Sequence, residues 1–138
     1  EVIPGPCAVT TALLASGLPC STYVFKGFPP RREGQRRGVL ESERDRAETL
    51  VFYESPFRLV GFLEVALDVL GDRQAAVCFE LTKKFERVVR GYLADVIAQV
   101  RATNLRGEIT VVIAGRHPKF VRPAAGPGVP ASPAAGGC

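Results

Sequence analysis

Two hydrophobic periods alternate along the chain, and each change of period marks a predicted element. Residues 7–16 place alanine, threonine and leucine at helical spacing after Pro-Gly-Pro, and Gly17 is placed to end that helix. TYVFKGF, 22–28, alternates β-branched and aromatic residues as a short strand does. PPRREGQRR follows as a basic loop entering a helix expected over 34–47. TLVFYE, 49–54, is a nearly continuous apolar run, the pattern of a strand buried on both faces. From 56 to 70 the apolar positions 59, 60, 63, 66, 67 and 70 keep helical spacing, and Gly71 supplies the stop. Strands are predicted over 74–82, around 86–90 and over 107–115. Between the last two, Leu93, Val96, Ile97 and Val100 share one helical face. Strands alternating with helices give an α/β domain, a mixed sheet with helices on its faces.

Composition narrows the class. The 138 residues are 46% hydrophobic and 23% charged, ordinary for a soluble domain, and no stretch approaches the roughly 20 apolar residues of a membrane span. The opening EVIPGPCAVTTALLASGLPC lacks the basic n-region of a signal peptide. The chain contains no Met, so it is expected to be part of a longer reading frame. From His117 onward Pro, Gly and Ala dominate, and a disordered tail over 117–138 is predicted. The four cysteines, 7, 20, 78 and 138, form no CxxC pair and the one histidine is His117. That spacing predicts no metal site and reduced, cytosolic thiols.

The net charge of +4 suggests a polyanionic partner only weakly, but its distribution says more. Arg31, Arg32, Arg36 and Arg37 fall within seven residues, and either neutralise phosphates or form a solvated loop. ESERDRAE, which follows, alternates sign like a solvated helix face. Pro-Gly-Pro-Cys-Ala at 4–8 either offers free N–H groups to an anion at a helix N-terminus or is a turn whose prolines fix the entry. Cys7 has no histidine near it in sequence and reads as a small structural residue. ELTKKFE at 80–86 ends a strand with polar residues that either face a ligand at the carboxyl edge of the sheet or only cap the strand. In FYESPFR, 52–58, Ser55 before Pro56 has the form of a helix N-cap with a first-turn proline, and Glu54 and Arg58 are close enough to pair across it.

Taken in order, PGPCAVTTALLASGLP, GFPPRREGQRR, TLVFYESPFRL, ELTKKFE…RG and GEITVVIAG resemble the ribosomal RNA small subunit methyltransferase I family of the tetrapyrrole methylase superfamily. The resemblance covers about residues 2–115 and leaves out the tail. It implies the C-terminal domain of a two-domain fold, with residues 1–20 as turn and linking helix, 21–116 as the domain, and an N-terminal donor-loop domain that this chain lacks. It also implies transfer of a methyl group from S-adenosylmethionine to the ribose 2′-hydroxyl of a cytidine in 16S rRNA, in the cytoplasm, by an enzyme that is a homodimer in many relatives. On its own the chain would be inactive.

Carried over by position, the resemblance makes Gly5, Cys7, Ala8, Val9, Phe52, Tyr53, Glu80, Leu81, Thr82, Ala114 and Gly115 donor-contact candidates. Glu54 is the candidate for orienting or deprotonating the ribose, with Arg58 and Lys83 steering it or holding phosphate. Arg31, Arg32, Arg36 and Arg37 are the RNA-binding candidates. Phe79 stands where the family usually has a basic residue. Two alternatives stay open: a methylase of a tetrapyrrole or another small molecule, and an RNA-binding or dimerisation module without activity.

Overall fold

The computed structural model describes residues 4–79, 87–103 and 107–122, with side chains from residue 9 onward. Five strands form one mixed sheet: β1 (Tyr23–Gly27), β2 (Thr49–Glu54), β3 (Gln74–Phe79), β4 (Arg87–Tyr92) and β5 (Ile109–Ile113), in the order β1-β2-β5-β3-β4. β1 and β2 are parallel, whereas β5 runs antiparallel to both β2 and β3, and β4 antiparallel to β3. Thus β1, β2 and β3 point the same way and end at one edge of the sheet.

Helices cover both faces, which is why the central strands read as unbroken apolar runs. α1 (Pro4–Ser16) packs on β5, β3 and β4, where Val9, Ala12 and Leu13 meet Val51, Ala76, Cys78 and Val112. On the opposite face lie α2 (Glu33–Ser42), α3 (Leu59–Leu70) and α4 (Leu93–Arg101). Leu50, Phe52, Val77, Val111 and Ile113 point to this side, and the Phe52 and Phe62 rings meet at 4.9 Å. α4 buries Leu93, Val96, Ile97 and Val100, the four positions its periodicity selects.

Several boundaries differ from the sequence reading. α1 opens at Pro4, three residues early, because prolines in a first turn give up only N–H groups that have no helical partner. α2 stops at Ser42 instead of 47. There Glu43 turns inward, 4% exposed, and pairs with Lys26 of β1 at 2.9 Å and with Arg46, so the charged run ESERDRAE is no continuous solvated helix face. Its backbone closes with i→i−3 hydrogen bonds from Glu43 to Leu40 and from Arg44 to Glu41. β3 ends at Phe79, and positions 80–82 of the predicted strand lie outside the described residues.

The predicted disordered tail also begins too early. Pro118–Phe120 form a 3-10 turn, Phe120 is buried, and Val121 bridges to Arg73. Arg122 reaches Asp72 at 2.5 Å and Asp95 at 2.7 Å and lies over the Tyr92 ring. One apolar ring and one well-placed guanidinium are enough to attach a segment that composition alone assigns to disorder.

Among the described residues Arg73 is the largest fully buried side chain, and sequence reasoning gave it no role. Its guanidinium donates to the carbonyls of Leu70, Ala114 and Arg44 at 2.9, 3.2 and 2.5 Å, joining α3, the end of β5 and the segment after α2. Burial lowers its pKa. Cys78 is free and buried in the sheet.

Candidate active site

β2 ends in Glu54, which points to the same side as Leu50 and Phe52 at the edge where β1, β2 and β3 terminate. Its side chain is 1% exposed. Oε1 accepts a hydrogen bond from the Ser55 N–H at 2.8 Å and stands 3.4 Å from Arg58 Nε. Oε2 is buried and has no hydrogen-bond partner among the described residues, and the same is true of Ser55 Oγ. An unsatisfied buried polar atom costs about 1–3 kcal/mol, more when charged, so two on consecutive residues require a reason.

Ser55 is therefore not the helix cap its sequence suggests. Residues 55–58 form a turn closed by the Arg58 N–H on the Ser55 carbonyl at 3.1 Å, with Pro56 at the second position, where its fixed φ suits a turn. α3 starts only at Leu59, with Arg58 at the cap position and no side-chain cap bond. The hydroxyl that would have capped the helix faces inward beside the carboxylate instead.

Alternation along β2 separates Phe52 from Tyr53. Phe52 is fully buried against Phe62, so its ring has no open side for a ligand, while Tyr53 faces the α1 side. There the Phe25 and Phe28 rings meet Tyr53 edge-on at 5.0 and 5.6 Å, and both phenylalanines are exposed. Gly27, at φ 70°, makes the left-handed turn that carries the chain from β1 to Phe28. Desolvation, with Glu108 nearby, raises the Tyr53 pKa.

Antiparallel pairing sends Ala114 and Gly115 to the other edge. Ile113 pairs with Leu50 and Ile109 with Glu54, so the end of β5 lies four residues from Glu54, roughly 13 Å along the strands. Gly115 has a packing reason of its own: a Cβ there would sit 2.0 Å from the Ala47 carbonyl oxygen. At the Glu54 edge the wall is formed by the start of β5, Ile109 and Thr110.

Of the α1 candidates, Val9 is buried in the core, while Gly5, Cys7 and Ala8 fall in the first turns of the helix with side chains outside the described set. Glu80, Leu81, Thr82 and Lys83 lie outside the described residues.

The arginine cluster divides. Arg36 is buried, donates to the Pro30 and Arg31 carbonyls at 3.3 and 3.0 Å, and lies against Gly61 of α3. Arg37 pairs with Asp68 at 2.6 Å. Arg31 and Arg32 are exposed. Spacing counts four cations but cannot tell which are committed to the protein. The exposed aromatics were missed because TYVFKGF reads as an ordinary strand; only the neighbours show that Phe25 lies on an uncovered face. Among the described residues no cluster of His, Cys, Asp or Glu could hold a metal, and no helix is long and apolar enough to cross a membrane.

A family model described as tetrapyrrole (corrin/porphyrin) methylases matches residues 1–97. Over 117 residues the chain is 50% identical to ribosomal RNA small subunit methyltransferase I of Mycobacterium tuberculosis (strain H37Rv), covering 84% of this chain and 41% of that protein. The protein of the same name from Halalkalibacterium halodurans is 43% identical, with 85% and 40% covered, and that from Bacillus subtilis 41% identical, with 83% and 39% covered. The chain thus spans about 40% of the length of these relatives. Among solved structures, cobalt precorrin-4 methyltransferase, a cobalamin biosynthetic enzyme, superposes with a TM-score of 0.58 at 17% identity, covering 78% of this chain and 48% of that one. The methyltransferase CobJ gives 0.58 at 16%, with 78% and 47% covered. At such identities the likeness shows the fold.

Proposed function

Because the chain belongs to the tetrapyrrole (corrin/porphyrin) methylase family, we propose that it is the C-terminal part of an S-adenosylmethionine-dependent methyltransferase of small-subunit ribosomal RNA, acting in the cytoplasm on the ribose 2′-hydroxyl of a cytidine. The substrate class rests on the names of its relatives. The chemistry rests on one observation: two buried oxygens on consecutive residues, Glu54 Oε2 and Ser55 Oγ, have no hydrogen-bond partner among the described residues.

Those two atoms suit a ligand that presents hydroxyl groups. A ribose 2′-hydroxyl donating to Oε2 would gain a strong, charge-assisted hydrogen bond in a water-poor place. S-adenosylmethionine, when bound, supplies the methyl group. The donor's sulfur–methyl bond would break as the oxygen–methyl bond forms, leaving a neutral thioether, and the hydroxyl proton would pass to Glu54 Oε2, while Arg58 and the Ser55 N–H hold Oε1 and fix the plane of the carboxylate. For the donor, the first turns of α1 at Gly5, Cys7 and Ala8, together with Tyr53 and with Glu80, Leu81 and Thr82, remain the candidates. Phe52, Ala114 and Gly115 have structural tasks that account for them.

The test is made on the full-length protein that carries this chain. Incubated with labelled S-adenosylmethionine and small ribosomal subunits lacking the modification, it should label one ribose of the RNA, in a bond that survives alkaline hydrolysis. Labelling of a tetrapyrrole precursor with none of the RNA would refute the proposal.

A further inference from the structure

Near the candidate active site, the end of β1 carries an exposed aromatic group that the methyl-transfer reading does not use. The partly buried Tyr53 ring packs against Phe25 and Phe28 at steep angles, with centroids 5.0 and 5.6 Å apart, and both phenylalanines keep accessible surface: Phe25 is 47% exposed and Phe28 65%. α1 packs chiefly on β5, β3 and β4. Three residues beyond Phe28 come Arg31 and Arg32, both exposed.

The loop between them is held in place. Pro29 is buried, and the Arg36 guanidinium, 8% exposed, donates to the Pro30 and Arg31 carbonyls. Two prolines and a buried clamp fix the backbone from which Arg31 and Arg32 project, so a partner meets an ordered pair of charges.

Exposed rings, followed within a few residues by ordered cations, are what an unpaired nucleotide strand requires. Bases stack on aromatic faces without regard to sequence, and arginines meet the phosphates between them. A purely apolar partner would leave the arginines without a counter-charge, and a purely acidic one would leave the rings exposed. We infer that Phe25, Phe28, Arg31 and Arg32 form a platform for unpaired RNA, with Phe28 stacking a nucleobase next to the target and Arg36 as its positioning residue. The inference rests on the RNA reading above but concerns a different surface of the same region.

The experiment uses the full-length protein carrying this chain and an unstructured oligocytidylate labelled for fluorescence anisotropy. Phe28→Ala should weaken binding about 10-fold, within the range for one lost base stack, and Phe28→Tyr should restore it because a tyrosine ring stacks as well. Arg31→Ala with Arg32→Ala should lower the slope of log K against log salt by about 1.4, the value for two phosphates on a single strand. In these variants the melting temperature, the donor affinity and the gel-filtration volume should stay as in the parent. If Phe28→Ala instead lowers the melting temperature or donor affinity, or dissociates an oligomer, while oligonucleotide binding persists, the patch packs on protein and the platform is overturned. Unchanged binding in Phe28→Ala overturns it equally. Wild-type methylation of the small subunit, assayed in parallel, reads the enzymatic proposal separately, so either can fail alone.

Discussion

Arg58 Nε stands 3.4 Å from Glu54 Oε1 across the turn that joins β2 to α3, and it engages only that one oxygen. The carboxylate is therefore held at one oxygen, while the other is buried and has no hydrogen-bond partner among the described residues. Glu54→Gln preserves shape and keeps an acceptor for the Ser55 N–H, but removes the basic oxygen. In the full-length enzyme kcat for RNA methylation should fall about 100-fold or more, the scale of a lost general base, with little change in KM for RNA. The melting temperature should hold or rise, because a buried charge with an unsatisfied oxygen has been removed. A melting temperature that fell together with activity would show Glu54 to be structural.

Arg36 and Arg37 differ in what they do for the fold. Arg36→Ala leaves two loop carbonyls without their donor and opens a space beside Gly61, so it should cost about 1–3 kcal/mol in urea denaturation. Arg37→Ala breaks an ion pair on exposed side chains with Asp68 and should change stability by less than about 1 kcal/mol. Equal effects would contradict the division drawn between them.

Much of this was legible beforehand. TLVFYE spans β2 residue for residue, and the buried set of α4 follows from its spacing, because burial on one or two faces imposes the period directly. Partners far along the chain impose none. Nothing local in ESERDRAE announces that Glu43 turns inward to Lys26, seventeen residues away, nor that Arg73 reaches across to Ala114, forty-one residues away. Ser55 misled for the opposite reason: its local signal was good, but the neighbouring Glu54 carboxylate takes its N–H and the turn continues to Arg58. Glu54 and Arg58 were identified together, whereas the two sheet edges could not be told apart until the antiparallel placing of β5 sent Gly115 away from them.

Gly115→Ala puts a methyl group into the backbone of Ala47 and Glu48, whose oxygens would lie 2.0 and 2.6 Å from it. No side chain can swing aside there, so the strand end must shift, and with it the Ala114 carbonyl that Arg73 holds. The expected loss is about 3 kcal/mol or more, at the upper end for overpacking, read as a lower urea midpoint. A melting curve like that of the parent would mean that the segment after α2 yields easily.

Lys26 hydrogen-bonds Glu43 and, with Arg46, holds its carboxyl below the usual carboxylate range against the opposing effect of burial. A group that binds its proton less readily when folded contributes stability above its unfolded pKa, near 4.5, and loses it as pH falls through the folded value. Glu43→Gln should thus be less stable than the parent at neutral pH, and the difference should shrink below 4.5. Urea midpoints taken on either side of that pH provide the check, and a constant difference would exclude the linkage.

Cys78 offers the corresponding case at high pH. Its position in β3, between the sheet and α1, pushes the thiol pKa up to about 12, with burial as the main cause and Arg90 opposing it. The unfolded chain, with a thiol near 9.0, releases this proton earlier than the folded one. Stability from this group is therefore complete below about 9 and declines as pH rises from there toward 12, the reverse of the Glu43 case. The same burial makes the thiolate, which is the reactive form, scarce and inaccessible. Iodoacetamide applied to the native protein at mildly alkaline pH should leave Cys78 unmodified in peptide mass mapping, and should alkylate it fully in urea. Rapid native labelling would show that α1 lifts from the sheet.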